Sequence, residues 1–121
     1  MDRGSVVLVS AKGEYGKTRP AVVVQDSRME SVVGSVTACF LTSDLTDESR
    51  ILRVDVTPTP ENVLSQPSQV QIEKLMTFSR GKVRGPIGQL LDREMAAIDM
   101  GLMVHLGLVA QLSGRQFSGP R

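Results

Sequence analysis

Tryptophan is absent from the chain, and phenylalanine and tyrosine bring its aromatic content only to 3%. A nucleic-acid module that stacks bases on aromatic platforms would have few residues to use. Cys39 and His105 are the only cysteine and the only histidine. That excludes a disulfide within the chain and a zinc site built from nitrogen and sulfur donors. Cys39 lies in the apolar run Ala38-Cys39-Phe40-Leu41 and reads as a small core residue of a reducing compartment, not a nucleophile. Neither sign of charge dominates: 14 Lys and Arg face 13 Asp and Glu, so any contact with a polyanion must come from a local patch. No apolar run approaches the roughly 18 residues of a membrane span. Met1-Asp2-Arg3-Gly4 lacks the apolar core of a signal peptide, so a cytoplasmic protein without membrane contact is expected. Walker loops, dinucleotide fingerprints and nucleophile elbows are also missing.

What the chain does have is the stretch Tyr15-Gly16-Lys17-Thr18-Arg19-Pro20-Ala21-Val22-Val23-Val24. A loop bearing Gly and Lys leads through one Arg-Pro step into a β-branched run. Pro20 fixes its own φ and biases Arg19 towards an extended conformation, which holds the arginine at a strand mouth. A cation there can meet a phosphate, or Lys17 and Arg19 can simply solvate a loop.

The remaining pattern is strands first and one helix last. Residues 4–10, 21–25, 35–41 and 51–56 read as short strands rich in β-branched residues. Residues 26–34 read as a connection. Pro58 and Pro60 make residues 57–62 a surface loop, because proline cannot donate within a central strand. Residues 68–78 alternate well enough for a long strand with a bulge near Lys74. A basic turn over 79–85 precedes a short strand at 87–90. Asp92 is the expected N-cap of a helix whose apolar face runs through Met95, Ile98, Leu102, His105-Leu106 and Val109. His105 there is an ordinary helix residue. Gly107 is placed to end that helix, and residues 111–121 read as a disordered tail after one domain over 1–110. This order predicts a mostly β fold, a small curled sheet or barrel capped by a C-terminal helix.

Polar residues gather at strand ends. Arg19 opens the second strand, Thr42-Ser43 close the third, and Glu73 interrupts the long fifth. On one barrel rim they would offer a cation, hydroxyl donors and a carboxylate to a phosphodiester. Thr42-Ser43-Asp44 equally reads as a strand terminus making a hydroxyl-capped turn. Asp44, Asp47 and Glu48 could form a carboxylate-only Mg²⁺ site, or a solvated acidic turn; no metal is expected.

Taken in order, these features resemble the MazF/PemK (Kid) family of toxin endoribonucleases. The matching segments are Arg3 to Val9, Lys17 to Val24, Leu41-Thr42-Ser43, Ser68 to Lys74, Ile87-Gly88-Gln89-Leu90 and the closing helix. The resemblance implies an SH3-like barrel that forms a homodimer, is neutralised by a cognate antitoxin, and cleaves single-stranded RNA without cofactor or metal. It also implies catalytic roles for Arg19 and Thr42. Substrate contacts would come from Tyr15, Lys17, Ser43 and Glu73, with the loop from Lys12 to Thr18 covering the RNA site until antitoxin displaces it. Many members carry Arg-Thr-Ile-Asp where this chain reads Met76-Thr77-Phe78-Ser79, which removes two charges near the RNA groove or the dimer interface. The alternative is a CcdB-like protein of the same fold that binds DNA gyrase without catalysis. Helix residues Met100 and Met103 fall off the main stripe and offer a second apolar surface for the dimer.

Overall fold

A computed structural model describes residues 1–10, 17–48 and 51–109. Six strands form one antiparallel sheet: β1 (Ser5–Ser10), β2 (Thr18–Val23), β3 (Ser35–Thr42), β4 (Arg53–Val56), β5 (Ser68–Ser79) and β6 (Val83–Gln89). Their order across the sheet is β4-β5-β3-β2-β1-β6. A short helix α1 (Glu30–Val33) sits between β2 and β3, and the closing helix α2 covers Asp92–His105.

Side chains alternate between the faces of a strand, and here both faces are apolar. Val6, Val22, Cys39, Leu41, Val70 and Ile72 pack with Met95 and Ile98 of α2 in one core. Val7, Val9, Ala21, Val23, Ala38, Phe40 and Phe78 form a second core on the opposite face. Among the described residues only one long helix is available as a cover, so curvature of the sheet itself helps to enclose the second core. Two register irregularities assist that curvature. One lies between β1 and β6 at Val6 and Leu8. The other is the bulge expected in β5: the five steps from Val70 to Leu75 oppose only the two from Leu41 to Cys39.

A closed barrel does not form among the described residues. β4 and β6 are the two edges of the sheet and do not pair with each other. β4 has only four residues, and Pro58 and Pro60 follow it, so the edge stops before it can close. The loop after it folds around Asn62, which is fully buried. Its Oδ1 accepts from Thr59 N and Leu64 N, both at 3.0 Å, and its Nδ2 donates to Thr57 O at 2.9 Å. A Cβ on Gly88 would lie 2.7 Å from the Asn62 carbonyl oxygen, so a glycine is needed for β6 to approach this loop.

Boundaries differ from the sequence reading at several ends. β2 starts at Thr18, not Ala21, because its ladder to β1 continues through Arg19↔Val9 and Ser10↔Thr18. β6 starts at Val83, inside the segment read as a turn, since Val83 and Arg84 pair with β1. β4 starts at Arg53, two residues later than expected. The helix is entered through Leu91, whose amide donates to Glu94 Oε1 at 2.9 Å; Asp92 is its first residue, not its cap. Gly101, which lowers helix propensity, allows close packing: a Cβ there would meet Ile51 O at 2.7 Å. The stripe loses its cover after Leu102, and His105, Leu106 and Val109 are exposed. Gly107, at φ +74°, follows the helix in the left-handed conformation. The expected tail over 111–121 lies outside the described residues. None of the described helices is long and apolar enough to cross a membrane.

Candidate functional site

The site begins with the way β2 is interrupted. Its ladder to β3 starts at Ala21↔Phe40, directly after Pro20, which has no amide proton to give. Arg19 therefore lies beyond the β2–β3 ladder while still held to β1 opposite Val9. By alternation Arg19 shares a face with Ala21 and Val23, and Phe40 and Thr42 share that face on β3. The Arg19 guanidinium carbon sits 4.3 Å from the centroid of the Phe40 ring. Phe40 is braced in turn by Phe78, edge to face, with centroids 5.7 Å apart. Stacking on a fixed ring orients the guanidinium plane and leaves its N–H groups free for an acceptor. Among the described residues the Arg19 side chain has no carboxylate and no hydrogen-bond partner.

Arg19 borders two clefts. The first, about 310 Å³, brings it together with Pro20, Thr42 and Ser43 against a wall made by Leu64 and Gln66. Thr42 Oγ1 accepts from Asp44 N at 3.0 Å. This is the hydroxyl-capped turn expected of the strand end. It leaves the hydroxyl proton available, because a hydroxyl both accepts and donates. The second cleft, about 580 Å³, runs from Arg19 over Phe40 to Gln71, Lys74, Met76 and Lys82. Ser79 lines it too, so both positions where the family pattern has charge face this cleft with neutral side chains.

Of the sequence-predicted residues, Arg19, Thr42 and Ser43 come together. Lys17 is exposed at the entry to β2. Tyr15, with residues 11–16 of the loop, lies outside the described residues. Glu73 does not join them. It borders a separate cleft with Thr46 and Leu52, where Arg53 Nε lies 3.9 Å from its carboxylate. The bulge in β5 turns it away from the β2 side. Gln69, buried, holds the neighbouring loop: its Oε1 accepts from Thr46 N at 3.1 Å and from Arg53 Nη1 at 2.9 Å. Sequence reasoning missed Phe40, Gln71, Lys74 and Lys82. Phe40 had one available signal, since it stands two residues before Thr42 and so faces the same way.

Asp44, Asp47 and Glu48 are exposed, and no three His, Cys, Asp or Glu among the described residues gather closely enough to hold a metal ion. Cys39 is fully buried. Burial pushes its thiol pKa up to about 12, with the charge of Glu73 adding to the effect. A thiol in that state is not a nucleophile at neutral pH.

Comparison with known proteins places this geometry. Residues 2–106 match the model of the PemK-like, MazF-like toxins of type II toxin–antitoxin systems. A protein of Mycolicibacterium smegmatis named probable endoribonuclease MazF is 34% identical over 109 residues, covering 89% of this chain and 98% of its own. Among solved structures, MazE–MazF from Deinococcus radiodurans superposes with a TM-score of 0.72 at 21% identity, covering 88% of this chain and 95% of that one. A mycobacterial endoribonuclease in complex with its cognate antitoxin gives 0.71 at 20% identity, covering 88% and 94%. At such identities these two structures speak for the fold. The family match and the 34% identical relative carry the assignment: the chain belongs to the PemK-like, MazF-like toxins of type II toxin–antitoxin systems.

Proposed function

We propose that this protein is an endoribonuclease toxin that cleaves single-stranded RNA by internal transesterification and is neutralised by a cognate antitoxin in the cytoplasm. The observation that carries the reading is the Arg19 fork, unpaired among the described residues and set over Phe40 at the meeting of two clefts, one of which holds the Thr42 hydroxyl. In this reaction the ribose 2′-hydroxyl gives up its proton as its oxygen bonds to phosphorus, the P–O5′ bond breaks, and the departing O5′ takes up a proton, giving a 2′,3′-cyclic phosphate and a 5′-hydroxyl. Charge builds on the non-bridging oxygens as the pentacoordinate state forms. Arg19 meets it with two parallel N–H donors, and the Thr42 hydroxyl adds a neutral one. Lys17 and Ser43 contact the flanking backbone, and Tyr15 is assigned a secondary substrate contact; Glu73, in its separate cleft, is left out of the scheme. No metal or cofactor enters the scheme.

Relatives solved as toxin–antitoxin complexes support the antitoxin as partner. A carboxylate-rich segment laid over Arg19 would exclude RNA from both clefts. The family match favours this reading over gyrase binding. We further assign the curl of the sheet to the half-open SH3-like type and the active species to a homodimer. The exposed Met100 and Val104 of α2, with Leu106 just after it, support the dimer. The decisive experiment incubates the protein with long single-stranded RNA in excess EDTA and sequences the ends. Cleavage leaving 5′-hydroxyl ends, with DNA of the same sequence intact, is expected. Cleavage that stops in EDTA, or proceeds equally on DNA, refutes the scheme.

A further inference from the structure

Gln71 is buried, at 9% exposure, and its side-chain oxygen is the one buried side-chain polar atom among the described residues without a hydrogen-bond partner. A buried acceptor left unpaired is costly, so its position calls for a donor from beyond the described residues. The β5 bulge puts it there. Gln71 lies in the stretch that has lost register with β3, while it still opposes Arg53 of β4. It lines the 580 Å³ cleft that starts at Arg19, with the exposed Met76 as apolar surface and Lys74 and Lys82 as cations. That combination suits one nucleotide unit. The apolar side chain and the Arg19 guanidinium plane take the face of a base, cations take the backbone, and a buried amide meets the base edge.

We propose that this cleft holds the base beside the scissile phosphate and that Gln71 reads it, accepting adenine or cytosine over uracil. The phosphate position rests on the ribonuclease reading above; the base-reading role rests on the orphaned amide. The buried oxygen is reached best by a donor that projects from the ring. The exocyclic amino groups of adenine and cytosine do so, and each sits beside a ring nitrogen that accepts from the Gln71 Nε2. Uracil can pair with the same amide, N3–H to the oxygen and one carbonyl to the nitrogen, but its N3–H is recessed and its second carbonyl then lies beside the Gln71 oxygen and repels it. Guanine sets N1–H against the amide nitrogen when its amino group meets the oxygen, and pairs only through N1–H and O6, so it is outside the comparison with uracil. Gln71 is thus a specificity residue for the reaction at Arg19, outside the charge-stabilising pair.

The test compares wild type with Gln71→Leu and Gln71→Met on sequence-randomised single-stranded RNA, mapping every cleavage end. Wild type should prefer adenine or cytosine to uracil at one position next to the break by about 10-fold or more, the size of one good amide–base pair. Both variants should bring that ratio below about threefold while preferences elsewhere stand. A uniform fall in rate with every preference intact would overturn the proposal, because a merely structural role gives that result. Gln71→Met keeps the side-chain length and covers the case in which Gln71→Leu fails to fold. A second arm measures binding of uncleavable, fully 2′-deoxy oligonucleotides that differ at that one base. If wild type discriminates in binding and the variants do not, Gln71 reads the base even should wild type cleave no RNA, an outcome that refutes only the ribonuclease reading. Equal affinities in wild type and variants overturn the base-reading assignment.

Discussion

Replacing Arg19 separates catalysis from folding more cleanly than any other change in this molecule. Its contact with the fold is the cation–π stack on Phe40. Such a stack is worth about 0.5–1 kcal/mol at a partly exposed position. In a domain of this size that lowers Tm by roughly 2–6 °C. No buried carboxylate is stranded when the guanidinium goes, because none is paired with it among the described residues. The catalytic loss is larger. Removing a charge-assisted, two-pronged contact to the developing oxyanion should slow cleavage by about 10³-fold or more, equivalent to about 4 kcal/mol at 1.36 kcal/mol per factor of ten. Arg19→Lys keeps the charge but lacks the planar fork, and should recover no more than about tenfold of the loss. The assay is single-turnover cleavage of one short RNA with saturating enzyme, alongside thermal melting of each variant. Arg19→Ala that melts like wild type and cleaves within about threefold of it would place the active site elsewhere.

Thr42→Ala should slow the same reaction by roughly 10²-fold, with Thr42→Ser recovering most of it, because one neutral donor is lost and then restored; equal rates for Thr42→Ala and wild type would remove Thr42 from the chemistry. Cys39 should react with iodoacetamide at pH 8 at least about 10³-fold more slowly in the native protein than in urea, as expected for a buried thiol; rapid native labelling would contradict its burial. Its folded pKa of about 12 is raised above the unfolded value, so its contribution to stability is present below about pH 8.5 and is lost as pH rises from there towards 12. Thermal melts across that range should show the decline. Light scattering at micromolar concentration should give a dimer, and Met100→Lys with Leu106→Glu should weaken it at least about tenfold; a wild-type monomer under those conditions refutes the assignment.

The strands and the closing helix were legible because alternating Val-rich runs and a run of i, i+3, i+4 apolar positions have few other readings. Strand ends were less so. Thr18, Arg19 and Pro20 do not look like strand residues, yet β2 includes them because β1 supplies partners as far as Ser10↔Thr18. Sheet closure was not legible either, since it depends on whether β4 reaches β6, and neither strand's composition encodes the distance between edges. For the site, the places of Arg19 and Thr42 at strand ends could be read from the sequence, and both border one cleft; the roles proposed for them came from the family resemblance. Glu73 could not be excluded from that group by sequence, because a bulge at an unspecified residue decides which way every later side chain points. Gln71 left no signal at all: an amide in a strand reads as a surface residue until its burial is known.

The interruptions on the two sides of β3 explain why a site exists here. β3 is a central strand, flanked by β2 and β5, and a central strand normally spends its backbone groups on both neighbours. At its C-terminal end that pairing gives way twice. On the β2 side the ladder ends at Ala21↔Phe40, where Pro20 takes over. On the β5 side the register is lost between Cys39 and Leu41, opposite the bulge. The two openings are adjacent: on the β5 side Phe40 alone falls in the gap before Leu41↔Val70 and Thr42↔Gln69 pair again, and on the β2 side the ladder stops after Phe40. They let Arg19 fold over Phe40 from one side and Gln71 approach from the other, with the Thr42 hydroxyl at the strand terminus beside Arg19. The bulge and the proline therefore act as a pair: the proline releases the cation, and the bulge releases the amide. An unbroken sheet would place the same side chains on a flat, fully paired surface, with no cleft on either side of Arg19.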